Sequence, residues 1–352
     1  MSEDMKGVPK LLKESAGESS CCIFRVPEAV AGVNAAACWP CTVSFGPYHH
    51  GKPALQMLEE HKWRYLPAML DRIHPHGIGL EDLIGVVGPK EEMIRHCYSE
   101  STDMFSGPDF VKMMDDPLLR NSYLFTSLVR DLLRLENQVP YFVLEDLFAI
   151  TNVSKVKFTL VDLAFRVFSC YLKEPYSGWK RQGDVKGMHL LDSFRLSLIP
   201  QGRQNKRNLH LMEVKFDVQS QVFSIPELRI DDTVNCILLN MVAFEQCHSY
   251  CDKHVTAYAM FMGRLIQTKM IVSDVAQLFR DVCKDASCDS QADYLEEIGI
   301  KKWYTPYRMW KALVKEVYFS NPEVSISVVT LLVTLTGVIQ TVYALLQYYQ
   351  PK

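Results

Sequence analysis

Val324-Ser-Ile-Ser-Val-Val-Thr-Leu-Leu-Val-Thr-Leu-Thr-Gly-Val-Ile-Gln-Thr-Val-Tyr-Ala-Leu-Leu346 is an uncharged, proline-free run of 23 residues near the end of a 352-residue chain. As a helix it spans about 34 Å, against a bilayer core of about 30 Å. Tyr318 and Phe319 precede it and Tyr348 and Tyr349 follow it, where interfacial aromatic residues belong. Pro322 and Pro351 stand just outside its ends. The run predicts a single C-terminal transmembrane helix. A buried core helix is the alternative, because seven of the 23 residues are Ser, Thr or Gln. Ser327, Thr330, Thr334, Gly337, Thr341 and Ala344 recur at alternating steps of three and four, which puts them on one helical seam. Helices associate in lipid where small residues let backbones approach. The seam therefore predicts self-association or pairing with a partner's span, unless its hydroxyls only bond back to their own helix.

Outward from that run, the rest of the chain sets its orientation. Residues 1–20 (MSEDMKGVPKLLKESAGESS) are charged and Gly/Ser-rich, with no apolar stretch of signal-peptide length, and read as a disordered segment. Lys301, Lys302, Arg308, Lys311 and Lys315 precede the apolar run, and only Lys352 follows it. The positive-inside bias then predicts a tail-anchored layout. Residues 21–319 form one large cytosolic domain, 324–346 cross the bilayer, and 347–352 are a short tail. The lipid bilayer is thus the first expected partner.

With 48% hydrophobic residues, 352 residues can bury a large core. A net charge of −3 gives no reason to expect nucleic acid. Eleven cysteines, an odd number without regular spacing, read as reduced thiols and not as a disulfide framework.

Hydrophobic periodicity is mainly helical. Leu55–Leu70 carries Leu55, Leu58, Tyr65, Leu66 and Met69 on one face, with Glu59, Glu60, Lys62 and Arg64 outward. Further helices are predicted over Leu118–Leu135, Tyr141–Ile150, Phe158–Leu172, Val234–Glu245, Val255–Met270, Asp274–Lys284 and Trp303–Phe319. Strands are predicted over Thr42–Phe45 and, as a hairpin, over Glu213–Asp217 and Gln221–Ile225. The fold class is mainly α, with a small β-hairpin.

Catalytic signatures are sparse. The chain has no nucleophile elbow, P-loop, zincin helix or dinucleotide fingerprint. Cys38-Trp-Pro-Cys41 has the form of a redox pair, which needs a helix N-terminus to activate its thiol; a strand and turn follow it instead. Cys247, Cys251 and His254, with His248 adjacent, could share a helical face and ligate a metal, but zinc wants four ligands and no fourth is evident. His49 and His50 lie in a turn-rich loop where imidazoles could act as base or ligand. A structural loop is the plainer reading. No cofactor is expected.

Several motifs occur in a definite order: Ile23-Phe-Arg-Val-Pro27, Val43-Ser-Phe-Gly-Pro-Tyr-His-His-Gly51, Glu60-His-Lys62 and Leu135-Glu-Asn-Gln-Val-Pro-Tyr-Phe142. They continue with His189-Leu-Leu-Asp192, Val214-Lys-Phe216, Phe223-Ser-Ile-Pro226, Ala243-Phe-Glu-Gln-Cys247 and Tyr318-Phe-Ser-Asn-Pro322. This series resembles the plant family called domain of unknown function 247, over about residues 21–348. The resemblance implies a plant protein with a largely helical domain and a C-terminal membrane segment. It also implies a role in recognition or signalling, since family members are associated with self-incompatibility in grasses. The chain departs from the pattern at Asp115-Asp-Pro117 and at Glu323, and reads as a shortened, diverged member.

The Glu136-Asn-Gln-Val-Pro140 motif has a physical account of its own. Val139 is disfavoured in the α region before Pro140, so a helix ends there and leaves up to four carbonyls unpaired. Asn137 and Gln138 offer donors to satisfy them, and Glu136 is expected to pair or to accept N–H groups from the start of the next helix. The resulting expectation is a scaffold in a non-enzymatic, membrane-anchored protein with an unknown protein partner. Two alternatives stand beside it: a hydrolase-like or metal-dependent enzyme using His49, His50 and Glu136, and a soluble interaction protein whose last helix is core.

Overall fold

In the computed structural model, apolar residues at helical spacing form helices over most of the described residues. The structure describes residues 13–32, 34–102, 122–152, 158–172, 186–199, 212, 214–217, 220, 222–226, 231–267, 273–283 and 286. The predicted span Val324–Leu346 with its small-residue seam, the helix Trp303–Phe319 and the segment 1–12 lie outside these. Among the described residues no helix is long and apolar enough to cross a membrane.

The described helices are α1 (Glu28–Ala31), α2 (Ala35–Cys38), α3 (Gln56–Ile73), α4 (Leu80–Val87), α5 (Glu91–His96) and α6 (Ser122–Leu132). They continue as α7 (Tyr141–Thr151), α8 (Leu160–Leu172), α9 (Leu190–Leu198), α10 (Asp232–Cys247), α11 (His254–Gln267) and α12 (Ser273–Val282). Two units divide the chain, residues 1–214 with 224–294, and residues 215–223 with 295–352. β1 (Lys215–Asp217) pairs with β2 (Val222–Ser224) as the predicted hairpin. The rings of Phe216 and Phe223 meet across it, tilted by 40° with centroids 4.7 Å apart.

The first unit is organised around α10. Every residue from Cys236 to Glu245 is buried, because the helix is apolar all round and has no face suited to water. Asp231 caps it by accepting from the N–H groups of Thr233 and Val234, both at 2.9 Å, a cap worth about 1 kcal/mol. Around α10 pack α2, α6, α9, α11 and α12. Its two buried polar side chains each tie it to another element. Glu245 accepts from the Val255 and Thr256 N–H groups at 3.0 and 2.8 Å, satisfying the first turn of α11, and is paired with buried Arg195 at 3.1 Å. Asn240 is taken up below.

Two local expectations are corrected. Lys62 does not face water: it is buried, its ammonium held by the Ser44 carbonyl and by Glu59 at 2.7 Å. Thr42–Phe45 is no strand of a sheet. Its N–H groups go to side chains, which replace the ladder partner the periodicity implied. The short helices α4, α5 and α9 were not signalled by periodicity. α9 starts where His189 Nδ1 accepts from the Asp192 N–H at 3.2 Å, while its Nε2 meets the Cys22 carbonyl at 3.0 Å. Burial pushes this imidazole down to about 4, so it is neutral at pH 7.

Candidate functional site

The helix breaks where expected. α6 ends at Leu132, a single 3-10 turn covers Leu135–Asn137, and α7 begins after Pro140, which sits at φ −55°. At the break the Asp131 and Arg134 carbonyls accept the Arg134 and Asn137 N–H groups at 3.3 and 3.0 Å, and side-chain amides add to these and serve the Leu132 carbonyl. Asn137 Nδ2 donates to Asp131 at 3.0 Å, and Gln138 Nε2 donates to Leu132 and Arg134 at 2.8 and 2.7 Å. Both amides are fully buried.

The opposite ends of the same amides reach other parts of the chain. Asn137 Oδ1 accepts from the Phe45 N–H at 2.7 Å, and Nδ2 also donates to the Val43 carbonyl at 3.0 Å. Gln138 Oε1 accepts from the Leu191 N–H at 3.2 Å, at the start of α9. The Leu135 N–H goes to Asn240 Oδ1 at 2.9 Å, which bonds the corner to α10. Gly46 is required by close approach and not by an unusual φ: a Cβ there would collide with the Gln138 carbonyl oxygen.

Asp131 holds the preceding stretch. Its carboxylate accepts from the N–H groups of Cys41, Thr42 and Val43 at 3.2, 2.6 and 2.9 Å and lies 3.2 Å from the Arg134 guanidinium. Burial raises this carboxyl, while Arg134 and the three N–H groups work against the rise. Arg134, itself buried, donates to the Ala36 carbonyl at 2.9 Å and to Cys41 Sγ at 3.2 Å.

Glu136 takes the first of its two expected roles, that of an ion-pair partner, and faces the N-terminal segment. It accepts from the Val26 N–H at 2.9 Å and pairs with Arg25 at 3.0 Å, and His49 Nε2 stands 2.8 Å away. The His49 distance is short, but neither ring nitrogen makes a directed hydrogen bond; the approach is an electrostatic contact with the N–H off line. Arg25 continues to Glu100 at 3.1 Å and lies over the Tyr48 ring at 4.3 Å. Burial alone raises the Glu136 carboxyl, yet His49, the Val26 N–H and Arg25 outweigh it and leave Glu136 below its ordinary value. Burial lowers His49, with Glu136 opposing. At neutral pH the geometry is thus an ionised carboxylate beside a neutral imidazole.

Of the three residues an enzyme reading would use, His49 and Glu136 meet and His50 does not join them. His50 Nδ1 turns to Glu59, 3.4 Å away. His49 is 1% exposed, and no hydroxyl or thiol among the described residues hydrogen-bonds to it. Cys38 is buried, with its thiol pushed up to about 12 by burial, and α2 ends at it instead of starting beyond Cys41. That removes the helix N-terminus a redox pair needs. α10 ends at Cys247, so Cys247, Cys251 and His254 do not share a helical face. Among the described residues no group of three or more His, Cys, Asp or Glu could hold a metal ion. The partners Arg25, Asp131, Arg134, Asn240 and Glu245 were not singled out from sequence. Polar residues inside apolar helices are the signal that could have found the last two.

Comparison with known proteins fits this arrangement. The family model DUF247, described as a plant protein of unknown function, matches residues 23–115, 114–210 and 203–336. The UPF0481 protein At3g47200 of Arabidopsis thaliana is 29% identical, covering 98% of this chain and 90% of its own length. That alignment runs over 435 positions, more than the chain's 352 residues, so the relative has segments this chain lacks. No solved structure matches. Three other motifs, Ile23–Pro27, Val43–Gly51 and His189–Asp192, meet around Glu136–Pro140, and with the family model matching from residue 23 to 336, the chain belongs to the plant DUF247 family.

Proposed function

We propose that the chain is a non-enzymatic, membrane-anchored plant protein whose helical domain serves recognition or signalling through a protein partner. One observation carries the non-enzymatic part. The buried side chains of Asp131, Asn137 and Gln138 are engaged with the chain's own backbone, as a scaffold requires. The anchor rests on the apolar run Val324–Leu346 and the basic residues before it. The bulk of the chain is then cytosolic, and the bilayer is its first partner. The span pairs with itself or with a partner's span through Ser327, Thr330, Thr334, Gly337, Thr341 and Ala344. The hydrolase-like or metal-dependent alternative draws on one observation, the 2.8 Å approach of His49 to Glu136; a sealed imidazole and a diverted His50 weigh against it.

Alkaline carbonate washing of membranes tests the anchor. The protein should stay in the pellet, and in sealed vesicles a tag after Lys352 should resist protease while a tag before Met1 is digested. Release by carbonate would rule out the anchor, and a protected N-terminal tag would reverse the orientation. In the retained protein Gly337→Leu should weaken association and Leu332→Ala should not; equal association would dismiss the seam.

A further inference from the structure

Cys22 and Cys97 face each other across the first unit's isolated parallel bridge. Ile23 is bridged to Tyr98, with the Ile23 N–H donating to the Cys97 carbonyl at 2.9 Å and the Ser99 N–H to the Ile23 carbonyl at 3.0 Å. The residues just before a bridged parallel pair lie side by side with side chains on the same face. Adjacent strands are about 4.7–4.9 Å apart, within the range of roughly 4.4–6.8 Å between Cα atoms that a disulfide spans. Both thiols are free, and the Cys97 thiol donates to the Met93 carbonyl at 3.4 Å. Cys97 is the more accessible, at 7% against 2% for Cys22.

We propose that Cys22 and Cys97 are an oxidisable dithiol, closed to a disulfide by a small peroxide and reopened by thiol reductants. In the first step the Cys97 sulfur attacks a peroxide oxygen, the O–O bond breaks, and the released hydroxide takes the thiol proton, giving a sulfenic acid and water. In the second the Cys22 sulfur attacks the Cys97 sulfur, the S–O bond breaks, and a second water leaves with the Cys22 proton. Two electrons pass from the two thiols to one peroxide. The adjacent Cys22 thiol and Lys13 lower the Cys97 thiol against the effect of burial, and Cys22 is raised. This matches attack by Cys97 and resolution by Cys22.

The bond would join two segments that serve the same corner. Arg25 and Val26 hold Glu136 from one side of the bridge, and Glu100 holds Arg25 from the other. Oxidation therefore clamps the N-terminal segment onto the helix break.

The test uses the full-length reduced protein exposed to hydrogen peroxide, with free thiols then blocked by N-ethylmaleimide and the peptides mapped by mass spectrometry. The first disulfide should link the Cys21-Cys22 peptide to the Cys97 peptide and disappear with dithiothreitol. Cys21→Ser should retain the link. Cys22→Ser should lose it and leave Cys97 reactive to dimedone. Should Cys22→Ser fail to fold, Cys22→Ala is read in the same way. The proposal fails if the first disulfide uses another pair, such as Cys21 with Cys247, or if Cys22→Ser still forms the link. It also fails if the folded wild type forms no link.

Discussion

Replacing Asn137 by alanine should leave little folded protein in the soluble fraction. The change removes the partners of the Phe45 N–H and of the Val43 carbonyl, one of two donors to the Asp131 carbonyl, and a longer contact to the Gly46 N–H, all near a fully buried side chain. An orphaned buried group costs about 1–3 kcal/mol, so the total is several kcal/mol, a large share of a domain stability of about 5–15 kcal/mol. Asn137→Asp tests the same geometry without changing size. It keeps the oxygen that faces the amides but turns a second oxygen towards two carbonyls, so it too should be destabilised. Thermal unfolding checks both against Asn152→Ala, at a partly exposed helix end. Melting of Asn137→Ala at the wild-type temperature would contradict the scaffold reading. Normal melting together with loss of a measurable activity would favour the catalytic one.

Asp131→Ala should cost more than Arg134→Met, although the two residues form one ion pair. Without Asp131 the buried guanidinium loses its counter-charge, and the N–H groups of Cys41, Thr42 and Val43 lose their acceptor. Breaking a buried pair from one side typically costs about 3–5 kcal/mol, and the unpaired amides add to it. Without Arg134 the carboxylate still has its three N–H donors, and methionine fills much of the vacated volume. The double variant should be more stable than the sum of the single losses predicts, because removing Arg134 relieves the charge stranded by Asp131→Ala. Denaturant unfolding measures all three. Strict additivity, or Arg134→Met as the worse single change, would contradict this account.

The helices that were legible in the sequence are those whose stability comes from an apolar pattern. α3, α7, α8, α10, α11 and α12 stand within a few residues of their predicted ranges. The hairpin was legible for the same reason, with Phe216 and Phe223 on one face. What failed were the places where a side chain takes over a backbone's role. Thr42–Phe45 has a strand's alternation, but Asp131 and Asn137, some ninety residues on, replace the neighbouring strand. Lys62 has an outward residue's chemistry, but the Ser44 carbonyl draws it in. No local window contains either partner.

The motif at Glu136–Pro140 was half legible. A break before proline with amides turned to its carbonyls follows from local physics, and Gln138 and Asn137 donate to the carbonyls of Asp131, Leu132 and Arg134, of which the Leu132 carbonyl has no backbone donor among the described residues. The outer partners do not follow from it, because they depend on the tertiary fold. They nevertheless fall in the motifs through which the chain resembles its family. Ile23–Pro27 supplies Arg25 and Val26, Val43–Gly51 supplies Gly46 and His49, and His189–Asp192 supplies the Leu191 amide. These motifs are mutual partners, which is a physical reason for their appearing together.

The central claim is that this corner is part of the core and opens only when the unit unfolds. Native-state hydrogen exchange at the amides of Val26, Thr42, Val43, Phe45, Leu135 and Leu191 tests it most directly, since each is held by a side chain of the network. The account predicts that these amides exchange at the free energy of global unfolding, together with those of Leu239 to Val242 in α10. Exchange of the six through a local opening well below that of α10 would contradict it.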